Sequence, residues 1–138
     1  MRKKSHISLA RYIAQDMQVP VMTHHRKAFY LGSILPDCKP SFLTQRHEFN
    51  GTFDLVKERI CVLSADSGLL LDNGRAFMRR LGEIIHYIAD YFTFPHNQIY
   101  DGNLKDHCVY EKELKFRLRE YVKSGKAFCD RIDAKKFE

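Results

Sequence analysis

No apolar run in this 138-residue chain approaches the length needed to cross a membrane. A signal-peptide core is also missing: the opening MRKK is followed by SHISLARYIAQDM, where Arg11 and Asp16 interrupt the apolar stretch and no small-residue cleavage site follows. The expectation is a cytoplasmic protein. Its four cysteines, Cys38, Cys61, Cys108 and Cys129, include no C-x-x-C pair. In that compartment they read as reduced, partly buried thiols rather than as a disulfide framework. The formal charge of +6 is spread along the chain, without a long basic run or an aromatic-basic repeat. That argues against a dedicated nucleic-acid module but still favours anionic partners such as phosphate esters, nucleic acid or acidic lipid surfaces. Strand-type alternation is weak, and solenoid repeats and low-complexity tracts are absent.

With 44% apolar and 29% charged residues, the chain has the composition of an ordinary globular protein. Its length suits a single domain over residues 1–138. The periodicity predicts an all-α fold of about five or six helices. The first runs from about Ser5, read as its cap, to Gln18, and stops at Pro20. The second runs from about His24 to Ile34, with small residues Gly32 and Ser33 that permit close packing. The third spans about Thr52 to Ala65, with Phe53, Val56, Ile60 and Leu63 as its apolar face. Asp72-Asn73-Gly74 is a turn or cap before a central helix that reaches about Phe94, where Pro95 disfavours continuation. The last long helix covers about Leu104 to Lys123, with Leu114, Leu118, Tyr121 and Val122 on its apolar face. A short tail from Ala127 to Glu138 follows.

The central helix carries the first chemical signal, LGEIIHYIADYFTFPH. Phe77, Leu81, Ile84, Ile85, Ile88 and Phe92 form an apolar stripe. Beside it His86 and Asp90 lie four apart on one face, and Gly82 one turn earlier leaves room for something to approach. His96 stands on the loop beyond. An imidazole and a carboxylate at this spacing chelate one divalent ion, although the same pair on a helix is commonly a solvated pair or an internal hydrogen bond. The second signal is HCVYE. His107 and Glu111 continue the apolar line of the last helix, where burying a charge without a partner is costly and a bound cation removes the cost. His6 lies at the top of the first helix's stripe. Asp37 follows Pro36 on a loop, and His47 stands in a loop or short helical turn between about Cys38 and Asn50. Arg79 and Glu83 flank the ligand side of the central helix, and Arg79 is in reach of a substrate phosphate, although solvated surface charge is the simpler reading. His24 and His25 read as exposed or capping.

The order H-x3-D, then His, then H-x3-E resembles the zinc-dependent phospholipase C family, whose superfamily includes zinc-dependent single-strand nucleases. The family's LGxxxHYxxD followed by a His stands here as LGEIIHYIADYFTFPH, its H-x3-E as HCVYE, its Pro-Asp as GSILPD and its Ser-His helix opening as SHISLARYIAQ. The resemblance covers the chain from His6 to Glu111 and implies two or three zinc ions. One zinc would be held by Asp37, His47, His86 and Asp90. A second would be held by His96, His107 and Glu111, and a third by His6 with bridging Asp90. The family completes the third site with the amine and carbonyl of a mature N-terminus; here Met1 stands five residues before His6.

The resulting expectation is a zinc-dependent phosphodiester hydrolase acting on a phospholipid or related diester, with peripheral membrane contact. Paired metals would neutralise the diester, acidify the attacking water and stabilise the leaving oxygen. Asp37 is the candidate catalytic residue, as ligand or as the base that orients the water. The competing readings are a single-strand nuclease or nucleotide phosphatase, with Tyr87, Tyr91, Phe92, Phe94 and Tyr100 as candidates to stack bases, and a zinc-binding domain without turnover.

Overall fold

In a computed structural model the described residues are 1–38, 49–93 and 103–126. They form six helices and no strand: α1 (Lys3–Met17), α2 (Pro20–Gly32), α3 (Phe49–Ala65), α4 (Ser67–Asp72), α5 (Gly74–Tyr91) and α6 (Leu104–Lys123), with a single 3-10 turn at Pro36–Cys38. The all-α expectation holds, and no helix among the described residues is long and apolar enough to cross a membrane. His47, His96, Phe94, Tyr100, Cys129 and the tail from Ala127 lie outside the described residues.

Local chemistry sets most boundaries. Pro20 opens α2 at its first turn, where its missing N–H costs nothing. Asp66 Oδ1 accepts from Leu69 N at 2.8 Å and Asn73 Oδ1 from Ala76 N at 3.0 Å, so the polar turns on either side of α4 start α4 and α5. Asn103 Oδ1 accepts from Lys105 N and Asp106 N and starts α6 at Leu104. α3 starts one turn earlier than read, at Phe49 rather than Thr52, and other boundaries differ more consequentially from the sequence reading. Ser5 is not a cap: α1 begins at Lys3, and Ser5 lies buried inside it. The reason is tertiary, because the Arg2 guanidinium donates to the Cys108 carbonyl at 2.9 Å and ties the start of α1 to α6. The second helix begins at Pro20 rather than His24, and His24 and His25 therefore fall inside it, at a break where His25 is non-helical (φ −114, ψ 21). The central helix ends at Tyr91, before the segment that precedes Pro95.

α5 is the hub. One side, through Met78 and the partly buried Leu81 and Ile85, packs on α1 and α2 around Ala10, Met22, Ala28 and Phe29. The opposite side, through Ile84, Tyr87 and Ile88, packs on α3 around Val56 and Leu63. Burial of side chains such as Phe29 drives this assembly, at roughly 1.5–3 kcal/mol each. Not every stripe residue joins in. Phe92 is 86% exposed, and Phe53 and Ile60 stay exposed at the edge of the α3–α5 contact, beside Ile88 and Tyr91. Tyr121 is likewise exposed, and α6 has no fully buried residue; it rests on α1 along a half-buried stripe. Cys38, Cys61 and Cys108 are free thiols and exposed, not partly buried.

Among the described residues, α2 and α5 approach backbone to backbone. A Cβ on Gly82 would lie 2.3 Å from the Phe29 carbonyl oxygen, and one on Gly32 would lie 2.1 Å from that of Arg79. The room left by Gly82 is thus taken by the backbone of α2. This contact, possible only without side chains, carries the residues that follow α2 onto the functional half of α5.

Candidate metal centre

His86 and Asp90 are both fully buried, on the third side of α5, between its two apolar faces. The 2.8 Å contact of His86 Nδ1 with the Ser33 carbonyl requires Nδ1 to be the donor, since a carbonyl only accepts. In the neutral ring the lone pair is therefore on Nε2. That atom faces Asp90 Oδ2 at 3.3 Å and Asp37 Oδ1 at 3.6 Å. An acceptor aimed at two carboxylates is favourable only with a proton or a cation among them. Ser33 is in position because Gly32 lets α2 close on α5, and Asp37 is in position because the 3-10 turn at Pro36–Cys38 follows directly.

His6, from α1, completes the cluster. Its ring stacks on His86 with centroids 3.9 Å apart and planes inclined by 21°. Its buried Nε2 lies 3.3 Å from Asp90 Oδ1 but off the direction of a hydrogen bond. Burial pushes the His6 pKa down, the neighbouring His86 pushes the same way, and the contact with Asp90 opposes both. Two stacked imidazolium rings would repel, so protonating both does not resolve the site. Donor atoms of His6, His86 and Asp90 all lie within 4.8 Å of one another, the arrangement of a divalent-ion site. The two oxygens of Asp90 face different histidines, which is the geometry of a bridging carboxylate.

The second pair is adjacent. His107 Nε2 lies 3.2 Å from Glu111 Oε1, and both residues are half-buried or less exposed. The two pairs converge on the Met1 amine, which lies 2.5 Å from Asp90 Oδ1 and 3.3 Å from Glu111 Oε1. The ammonium stands where cationic charge is wanted between two carboxylates. Arg2 adds a contact to Glu111 at 3.6 Å.

The profile of the zinc dependent phospholipase C family matches residues 5–138. The chain belongs to this family. No curated protein and no solved structure matches it. Zinc fits the residues present: nitrogen and carboxylate donors, a buried imidazole nitrogen of His6 without a hydrogen bond, and the Ser33 carbonyl fixing the tautomer of His86 from behind.

Of the eight expected ligands, the structure brings together His6, Asp37, His86 and Asp90, with His107 and Glu111 beside them; His47 and His96 lie outside the described residues. Glu83 instead faces Arg59 on α3 at 3.6 Å. Arg79 is two turns from His86 and does not reach the cluster's side of the α2–α5 contact. One participant escaped the sequence reading. The Ser33 carbonyl carries no residue-type signal, although the small pair Gly32-Ser33 marked a close approach. An N-terminal amine at the site was implied by the resemblance, and the packing of α1 brings the Met1 amine onto Asp90 and Glu111.

Proposed function

We propose that this chain is a zinc-dependent phosphodiester hydrolase of phospholipase C type, with a phospholipid or a related diester as substrate. The observation that carries the reading is Asp90, fully buried, with one oxygen on His6 and the other on His86. A buried carboxylate shared by two imidazole nitrogens calls for positive charge at the site; in the metal-free chain the Met1 ammonium beside Oδ1 supplies part of it, and zinc held by the histidines would supply the rest.

Asp90, His86, His6 and Asp37 would hold zinc on one side of the site, with His107 and Glu111 on the other. Zinc held there supplies positive charge to a diester and acidifies an attacking water. Among the chain's own groups, Ser33 holds the His86 ring so that Nε2 points inward. Asp37 is the least enclosed carboxylate of the first group, its side chain 12% exposed, and so is the one that can reach a water as well as a ligand position. It would accept the proton of that water or orient it. Of the base-stacking candidates of the nuclease reading, Tyr87 is buried against α3, and the Tyr91 hydroxyl is bonded to Thr52 Oγ1 at 2.7 Å. Burial raises the pKa of both phenols, so they remain neutral.

The test is elemental analysis of protein purified without chelator, followed by turnover of phosphatidylcholine, single-stranded DNA and bis-p-nitrophenyl phosphate. Two or three zincs with release of a phosphorylated head group is the expected result. Preferred cleavage of DNA moves the protein to the nuclease side of the superfamily. Zinc without turnover of any diester leaves a binding domain and defeats the proposal.

A further inference from the structure

The N-terminal half of α5 and residues 24–31 of α2 flank a second feature. His25 lies against Gly74, and Gly32 lies against Arg79 and Gly82, so the two helices run parallel with their N-termini at one end. Between them is an open cleft of about 700 Å³ lined by His24, His25, Lys27, Arg75 and Arg79, with Ala28 and Leu31 as its apolar wall. No carboxylate lines it. Among the described residues none of Lys27, Arg75 and Arg79 forms an ion pair.

Three formal positive charges around one concavity repel one another, and a folded chain ordinarily places acids among them. Two structural features hold them there. The break in α2 at His25 turns the first part of that helix and sets the His25 ring against Gly74, where a Cβ would come within 3.0 Å of it. Arg75 and Arg79 are four apart and share one face of α5. The cleft is separate from the metal centre: the Gly32–Gly82 contact lies between them, and Arg79 is about 10 Å of helix rise from His86.

We propose that this cleft is an anion-binding site that takes a small phosphate or phosphate-ester dianion between Lys27, Arg75 and Arg79. The guanidinium groups supply paired N–H donors, Lys27 a further cation, and His24 and His25 ring nitrogens at the rim. Ala28 and Leu31 offer an apolar wall for the organic part of an ester. The site needs no metal and holds whether or not the hydrolase reading is right.

The test is a titration of the protein with inorganic phosphate, followed by backbone amide NMR, with zinc bound and again in chelator. Saturable shifts centred on His24, His25 and Ala76 are expected in both conditions, with affinity falling as salt rises. Arg75→Gln/Arg79→Gln should weaken binding by about tenfold or more, and Lys27→Gln alone should weaken it by a smaller factor. All three side chains are exposed, so the melting curve should be unchanged in each variant. Shifts that never saturate, that persist undiminished in the double variant, or that map only onto His6, His86 and Asp90 would overturn the proposal.

Discussion

Replacing Gly82 by Ala tests the link between packing and metal binding. Helix propensity alone says the change stabilises α5 by up to about 1 kcal/mol. The structure says the opposite. The new Cβ would sit 2.3 Å from the Phe29 carbonyl oxygen, 2.9 Å from Ser33 N and 3.0 Å from Gly32 Cα, all of them backbone atoms that no rotamer change can move. Restoring ordinary contact requires α2 and α5 to part by about 1 Å, and overpacking of this kind costs typically 1–3 kcal/mol. The steric cost therefore exceeds the propensity gain. The same displacement carries Ser33 away from His86. A 2.8 Å bond lengthened by about 1 Å is no longer a hydrogen bond. Loss of such an outer partner lowers metal affinity by roughly 10–100-fold. Urea denaturation of chelated protein and zinc competition against a fluorescent chelator read the two effects separately. A Gly82→Ala protein with unchanged denaturation midpoint and unchanged zinc affinity would refute the argument from the α2–α5 contact.

Asp90→Asn keeps the shape but removes the charge shared by His6, His86 and the Met1 amine; elemental analysis should show loss of at least one zinc, and His86→Ala and His107→Ala should each lower the content too. If all three retain the full complement, the ligand assignment is wrong. In chelated protein, His6 has its pKa lowered by burial, so the folded state binds fewer protons than the unfolded one. Its contribution to stability is complete above the ordinary histidine value of about 6.5 and is lost as pH falls below it, at up to about 1.4 kcal/mol per pH unit for one proton. Urea midpoints at pH 7.5 and 5.5 should fall more for the wild type than for His6→Asn; equal falls would contradict the sign. Phe29→Ala should cost about 3–5 kcal/mol, whereas Phe92→Ser, at a position 86% exposed, should stay within about 0.5 kcal/mol in thermal unfolding despite its place in the apolar stripe.

The difference between Phe29 and Phe92 marks how far periodicity reaches. It finds a helix face, because residues three and four apart are forced onto one side by backbone geometry. It does not know where the neighbouring helix ends. Phe92 continues the line of Ile84, Ile85 and Ile88 but extends past the end of α5, and Phe53 and Ile60 sit just outside the strip that α3 shares with α5. Ser5 misled for a similar reason: its residue type suits a helix start, but the start of α1 is decided by Arg2 reaching Cys108 on α6.

The site divides along the same line. His86 with Asp90 and His107 with Glu111 were legible as pairs, because i, i+4 spacing is a local property of a helix. The sequence by itself determined those pairs, the all-α class, a turn or cap at Asp72-Asn73-Gly74, and the membership signalled by LGEIIHYIAD and HCVYE. Only tertiary structure decided that His6 stacks on His86, that Ser33 sets the tautomer, that the Met1 amine meets both Asp90 and Glu111, and that Lys27, Arg75 and Arg79 line one cleft. Each of those contacts joins segments tens of residues apart. Each depends on how closely two backbones approach, as Gly32 and Gly82 permit between α2 and α5, and no single stretch of chain encodes that.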